Sequence, residues 1–158
     1  MTRNLGKRQK AAWVAMVFAN GSLTKAIDRR LSEAGVVQLD VYDLLLNLEE
    51  APQRKLKMSE LAERALITRS GLTRVVDRLE KQGLVVREAC SHDRRAVYAA
   101  LTKKGLEERV KAWVVYEDAL KDLFAAKLDD EDALKLALLL KRFIPESHPL
   151  LALGLHEV

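Results

Sequence analysis

The residues able to do chemistry in this 158-residue chain concentrate between Thr68 and Arg95. Arg69, Ser70, Thr73, Arg74, Asp77, Arg78 and Lys81 are spaced so that a helix would carry them on one face. Glu88-Ala89-Cys90-Ser91-His92-Asp93-Arg94-Arg95 follows as a polar loop. A guanidinium forms two parallel hydrogen bonds to planar acceptors and to phosphate. Ser91, His92 and Asp93 have the residue types of a nucleophile, a base and an orienting acid. Adjacent loop residues point in different directions, however, and do not by themselves converge on a reacting atom. A glycine-rich phosphate loop and a His-Glu-x-x-His pair are both missing from the sequence,. No catalytic residue is assigned, and the expectation is a protein that is not an enzyme.

Cys90 is the sole cysteine, which rules out an intrachain disulfide and any zinc site that needs two cysteines of this chain,. A reducing, cytoplasmic setting is the expectation. Two readings of Cys90 stand. His92, Arg94 and Arg95 are the kind of neighbours that lower a thiol pKa and favour redox sensing, and an inert thiol is the simpler alternative. Cys90-x-His92 supplies two metal-ligand types without a third nearby, and His148 and His156 lie in the tail. No metal or cofactor is expected.

Charge locates the partner. Residues 54–109 hold 14 Lys plus Arg against 8 Asp plus Glu, a net of +6, whereas the rest of the chain holds 13 against 15, a net of −2. A located basic excess around a helix with an arginine-rich face suits double-stranded nucleic acid, which carries a phosphate charge about every 1.7 Å. A merely solvated basic face is the plainer reading of the charge taken alone. Arg69, Ser70, Thr73 and Arg74 fall in the first two turns, the part of a reading helix that meets base edges. Arg78 and Lys81 lie further along, either as phosphate clamps or as a plain exposed helix face, and Asp77 is placed either to orient a neighbouring cation or to touch the nucleic acid.

The elements that must hold these residues are mainly helical. Arg3, Lys7, Arg8 and Lys10 before the apolar run 11–19 imitate a signal peptide,. Trp13, Val17, Asn20, Leu23, Ile27 and Leu31 nevertheless continue at helical steps, which predicts one long helix over 8–33 with a kink or break at Asn20-Gly21-Ser22. A second helix is expected over about 38–50, ended by Ala51-Pro52, then a short basic connector of possible strand character over 54–58. A third helix opens at Ser59 as its N-cap. Thr68 caps the helix Arg69 to Gln82, with Leu72, Val75, Val76 and Leu79 inward and Gly83 as its stop. The period then changes from 3.6 to 2 over 84–87 and again over 97–101, which predicts a hairpin. Thr102 caps a fifth helix of about 24 residues, and Asp129 to Asp132 open a sixth that ends near Lys141-Arg142. Leu150, Leu151, Leu153 and Leu155 make the tail too apolar for a solvated end. No apolar run approaches about 18 residues, so no membrane span is expected.

Helix, turn, helix and basic-tipped hairpin form the layout of a winged helix-turn-helix. In their detail, Met58-Ser59-Glu60-Leu61-Ala62, the run from Arg69 to Glu80 and Gly83-Leu84-Val85-Val86-Arg87 resemble the MarR family of bacterial regulators. Asp93-Arg94-Arg95 leading to Leu101-Thr102 and Gly105 is similar to its wing signature. The resemblance implies a ligand-responsive repressor, a homodimer on a palindromic operator. Residues 1–37 and 106–158 would form its helical dimerisation lobe and 38–105 its winged helix-turn-helix. It also implies that Arg95 enters the minor groove, held by Asp93; Arg94 beside it is read as a phosphate contact. Half-sites are then expected about one helical turn, roughly 10 bp, apart.

Signals are less legible than the partner. The resemblance implies an aromatic or phenolic ligand between lobe and winged domain, for which Trp13, Phe18, Tyr42 and Arg87 are the candidate residues. Aromatic residues on amphipathic helices are also ordinary core. Redox or metal sensing on the same fold, and a winged helix that contacts protein instead of DNA, are the rival readings.

Overall fold

A computed structural model of the chain describes residues 4–65, 68–89 and 97–144. Its helices are α1 (Lys7–Glu33), α2 (Leu39–Glu49), α3 (Met58–Arg64), α4 (Arg69–Lys81), α5 (Lys103–Leu123) and α6 (Asp130–Lys141). Its strands are β1 (Lys55–Lys57), β2 (Val85–Ala89) and β3 (Val97–Leu101). The strands form one antiparallel sheet in the order β1-β3-β2. The chain is therefore mainly helical with a small hairpin, as the periodicity predicts.

Two apolar clusters divide the protomer, and α2 serves both. Val41, Leu44, Leu45 and Leu48 of α2 join Leu61, Leu72, Val76, Leu79 and Val85 in one cluster beneath the sheet. Tyr42, one position on from Val41 and about 100° around the helix, faces the other way onto Ile27, Leu31, Ala112 and Ala119,. Asp28 of α1 accepts the Leu39 N–H at 2.9 Å, so a side chain of the first helix satisfies an orphan donor at the start of the second,. Gly35 makes the reversal between them at φ +68, a left-handed conformation that costs glycine little,.

Tight local contacts connect α4, β2 and α5. Gly83 ends α4 at φ +72, and Leu84 N–H returns to Leu79 C=O at 2.9 Å,. The Thr102 hydroxyl caps α5 by accepting the Gly105 N–H at 2.9 Å and lies 2.8 and 3.0 Å from the Gly83 and Leu84 carbonyls. Gly105 is buried against that corner, where a Cβ would stand 2.1 Å from the Leu84 oxygen. Only glycine lets the start of α5 approach the start of β2 so closely.

Three boundaries differ from the sequence expectation. The Asn20-Gly21-Ser22 stretch does not break α1; Thr24 Oγ1 donates to the Asn20 carbonyl at 2.9 Å within a continuous helix,. Ser59 is not the N-cap of α3. The helix begins at Met58 because Glu60 reaches back to the Lys57 N–H at 3.4 Å, directly where β1 ends. Finally, α5 stops at Leu123 after 21 residues, and a 3-10 turn over Ala125–Lys127 follows. Asp129 caps α6 by accepting the Asp132 N–H at 2.8 Å.

The helical end of the protomer leaves much apolar surface open. No side chain of α6 is buried. Trp13 is 61% exposed and Phe18 74% on the outer half of α1, and Phe143 just beyond α6 is 77% exposed. Among the described residues no helix is long and apolar enough to cross a membrane. The tail leucines and histidines lie outside the described residues.

Candidate nucleic-acid interface

The candidate face is built on α4. Thr68 Oγ1 accepts the Gly71 N–H at 3.2 Å and fixes the helix start, while Leu72, Val76 and Leu79 are buried on the inner side. Arg69, Ser70, Thr73 and Arg74 are consequently all exposed on the first two turns. The Thr73 hydroxyl donates to the Arg69 carbonyl at 3.0 Å, and the Ser70 hydroxyl lies 3.4 Å from that of Thr68. Arg69 and Arg74 have no acidic partner within ion-pair distance among the described residues, so their guanidiniums face solvent ready for an anion. The structure brings these four expected residues onto one surface.

Arg78 has a different setting. Its guanidinium approaches Asp40 of α2 at 3.6 Å, with both side chains more than half exposed. An exposed pair of this kind contributes little stability.

Arg87 lies on β2 and reaches across to α4. It makes contacts of 2.6 Å to Asp77 and 2.5 Å to Glu80, donates to the Thr73 carbonyl at 3.3 Å, and its own N–H donates to Glu80 at 3.0 Å. Burial disfavours its charge, but the hydrogen bonds it donates to Asp77 and Glu80 outweigh that penalty and raise its pKa above the ordinary arginine value,. Asp77 therefore neither orients Arg74, Arg78 or Lys81 nor points free toward a ligand; it is a counter-ion of β2. Charge counting misses this, because the partner is ten residues away and on another element.

The residues expected to line a ligand pocket do not come together. Arg87 is committed to α4, and Trp13 and Phe18 stand exposed on the outer half of α1. Tyr42 is buried, and its ring partners are Trp113, stacked at 6.2 Å, and Tyr116, edge-on at 5.1 Å. Trp113 meets Tyr116 edge-on at 5.8 Å, which closes an aromatic triangle between α2 and α5,. Burial raises the Tyr42 pKa against the opposing hydrogen bond and charge of Arg109. Arg109 is 14% exposed and meets Glu49 at 2.5 Å, yet among the described residues Arg109 Nε and Glu49 Oε2 have no directed hydrogen bond. Tyr116, Arg109 and Glu49 were missed by sequence reasoning, although Arg109, Trp113 and Tyr116 recur at helical spacing along one side of α5.

Beside Tyr116 lies Asp43, whose carboxyl is pushed up to about 6 by partial burial, with the like charges of Asp40 and Asp28 adding to the effect. A separate cleft of about 410 Å³ opens where Val36, Val37 and Leu84 form an apolar floor and Arg78 and Lys104 stand at the rim. Cys90, Ser91, His92, Asp93, Arg94 and Arg95 lie outside the described residues. Among the described residues no group of three His, Cys, Asp or Glu side chains is arranged to hold a metal ion.

Comparison with known proteins agrees with this architecture. Residues 30–96 match the MarR family. The HTH-type transcriptional regulator YkoM of Bacillus subtilis is 34% identical over 142 residues, covering 89% of this chain and 90% of that protein. The Homoprotocatechuate degradative operon repressor of Escherichia coli is 35% identical over 97 residues, 61% of this chain and 64% of that protein. Sco3205, a MarR family transcriptional regulator from Streptomyces coelicolor solved in complex with DNA, is 32% identical with a TM-score of 0.83, covering 94% of this chain and 95% of that one. A braced helix with an open arginine face, a flanking hairpin and likeness over nearly the whole length lead to one conclusion: this chain belongs to the MarR family of winged-helix, DNA-binding transcriptional regulators.

Proposed function

We propose that the chain is a ligand-responsive repressor that binds a palindromic operator as a homodimer. The observation that carries the DNA-reading part is the state of α4: Arg69 and Arg74 have no acidic partner among the described residues, while its acids Asp77 and Glu80 share the guanidinium of Arg87. Arg69, Ser70, Thr73 and Arg74 then face base edges and phosphates in the major groove, and Arg78 exchanges its weak pair with Asp40 for phosphate. At the hairpin tip Arg95 enters the narrow, negative minor groove with Asp93 orienting it, and Arg94 takes a phosphate.

The homodimer reading is supported by α6, which buries no side chain in a single protomer, and by the open apolar residues of α1,. In this reading residues 1–37 and 106–158 form the dimer lobe and 38–105 the winged domain, a division consistent with the two apolar clusters that α2 joins. A ligand of aromatic or phenolic type would act on the aromatic triangle at that junction, where Tyr42 is the one residue retained from the expected set.

A gel shift with duplex DNA from upstream of the chain's own gene tests the proposal. A shifted band at dimer stoichiometry that a phenolic acid abolishes is the expected result. Loss of the band with peroxide or zinc instead would move the signal to Cys90 or to a metal, and no band at any salt concentration would sink DNA binding itself.

A further inference from the structure

We propose that Lys57 contacts a DNA phosphate on the far rim of the minor groove that the wing enters, a contact distinct from those of α4 and of the hairpin tip. The inference rests on the DNA-binding reading above and adds an outer point of attachment to it.

Strand order supplies the first step. Arg87 braces α4 against β2, and the sheet continues from β2 to β3 to β1. Across the protein the sequence of elements is thus reading helix, hairpin, edge strand. A helix in the major groove and a hairpin over the adjacent minor groove leave β1 beyond the hairpin. Strands are spaced about 4.8 Å apart, so β1 stands roughly 10 Å from β2. A minor groove is about 6 Å wide, and a hairpin centred on it therefore leaves the edge strand above one phosphate rim.

Register decides which residue of β1 is involved. The hairpin pairs Ala89 with Val97 and Glu88 with Tyr98 at the end that leads to its tip, and Lys57 is paired with that same Tyr98. Lys55 is set back opposite Ala100, and Arg54 is further back still. Alternation turns Leu56 into the core and both lysines outward,.

Commitment of charge separates the two lysines. Lys55 Nζ is held by Glu88 at 3.1 Å and lies 5.8 Å from the Tyr98 ring centroid. Lys57 is exposed, and its ammonium has no acidic partner within ion-pair distance among the described residues. The nearby Glu60 carboxylate is turned to the Lys57 backbone N–H rather than to its ammonium. Lys57 is thus the open cation at the tip end of the edge strand.

Salt dependence of binding by the full-length protein reads this contact. Fluorescence anisotropy on a labelled duplex from upstream of its own gene, repeated over a series of KCl concentrations, gives the slope of log Kd against log salt. Lys57→Gln is expected to reduce the slope by about 0.9 for each half-site, with an unchanged thermal midpoint. Lys57→Arg should keep the wild-type slope, and so should Lys55→Gln. A wild-type slope for Lys57→Gln overturns the proposal, as do equal losses for Lys55→Gln and Lys57→Gln. Wild-type protein that binds no duplex in a salt-dependent way overturns the DNA-binding reading and this inference with it.

Discussion

Arg87 on the hairpin strand closes onto Glu80 of α4 through both its guanidinium and its backbone N–H. The same guanidinium takes Asp77 at 2.6 Å. One residue therefore ties the hairpin to α4 and offsets one of the two negative charges that Asp77 and Glu80 place on that helix.

Replacing it separates the two roles. Arg87→Ala leaves Asp77 and Glu80 as free carboxylates on α4 and is expected to weaken duplex binding by at least tenfold, more at low salt than at high. Adding Asp77→Asn and Glu80→Gln to Arg87→Ala should recover most of that affinity while stability stays reduced, by about 1 to 2 kcal/mol. Anisotropy titrations beside thermal unfolding check this; no recovery in the triple variant would leave bracing as the only role of Arg87.

Gly105→Ala tests the corner that sets α5 on the sheet. A Cβ 2.1 Å from the Leu84 carbonyl oxygen cannot be accommodated by a side-chain shift, since the obstacle is backbone. A destabilisation of roughly 1 to 3 kcal/mol is expected, typical of overpacking. Calorimetry on Gly105→Ala reads it, with the exposed Gly21→Ala as a control near zero or slightly stabilising, because nothing lies within 4 Å of its added methyl,.

The Asp43 carboxyl makes a pH prediction. Its native pKa is raised from 3.8 to about 6, so over that interval the native state binds more protons than the unfolded chain,. The contribution of Asp43 favours the native state below about pH 4 and is lost as pH rises through about 6. Partial burial is the main cause, and Asp40, Asp28 and the Tyr116 ring are its neighbours. Asp43→Asn should be more stable than wild type at pH 7 and lose that advantage at pH 4, as read by urea midpoints at the two pH values. An equal difference at both would contradict the assignment.

Two further variants distinguish the wing from the lobe. Arg95→Ala is expected to weaken operator binding by one to two orders of magnitude while sedimentation still reports a dimer, as loss of a charged groove contact requires. Leu139→Asp places a charge on the open apolar side of α6, which is half exposed in one protomer. It should give a folded monomer at micromolar concentration with little operator affinity. Sedimentation of the wild-type chain as a monomer would contradict the dimer reading.

Local signals carried much of the architecture. Thr68 and Thr102 each cap the helix expected of them, because a cap is a contact over three residues and needs no tertiary partner,; Asp129, expected in the first turn of α6, is its N-cap instead. Periodicity likewise located the helices and the hairpin strands. Ser59 misled for a related reason: it has the chemistry of a cap, but pairing of β1 with β3 set the preceding chain direction and moved the helix start to Met58.

The sequence by itself determined which residues are basic, which face of α4 is polar and where the net +6 resides. Only the tertiary structure decided which of those charges remain available. Arg87, Lys55 and Arg109 are spent on acids 7 to 60 positions away in the chain, whereas Arg69, Arg74 and Lys57 have no acidic partner among the described residues. An ion pair depends on separation in space, and separation along the chain does not report it once the helices and strands have packed.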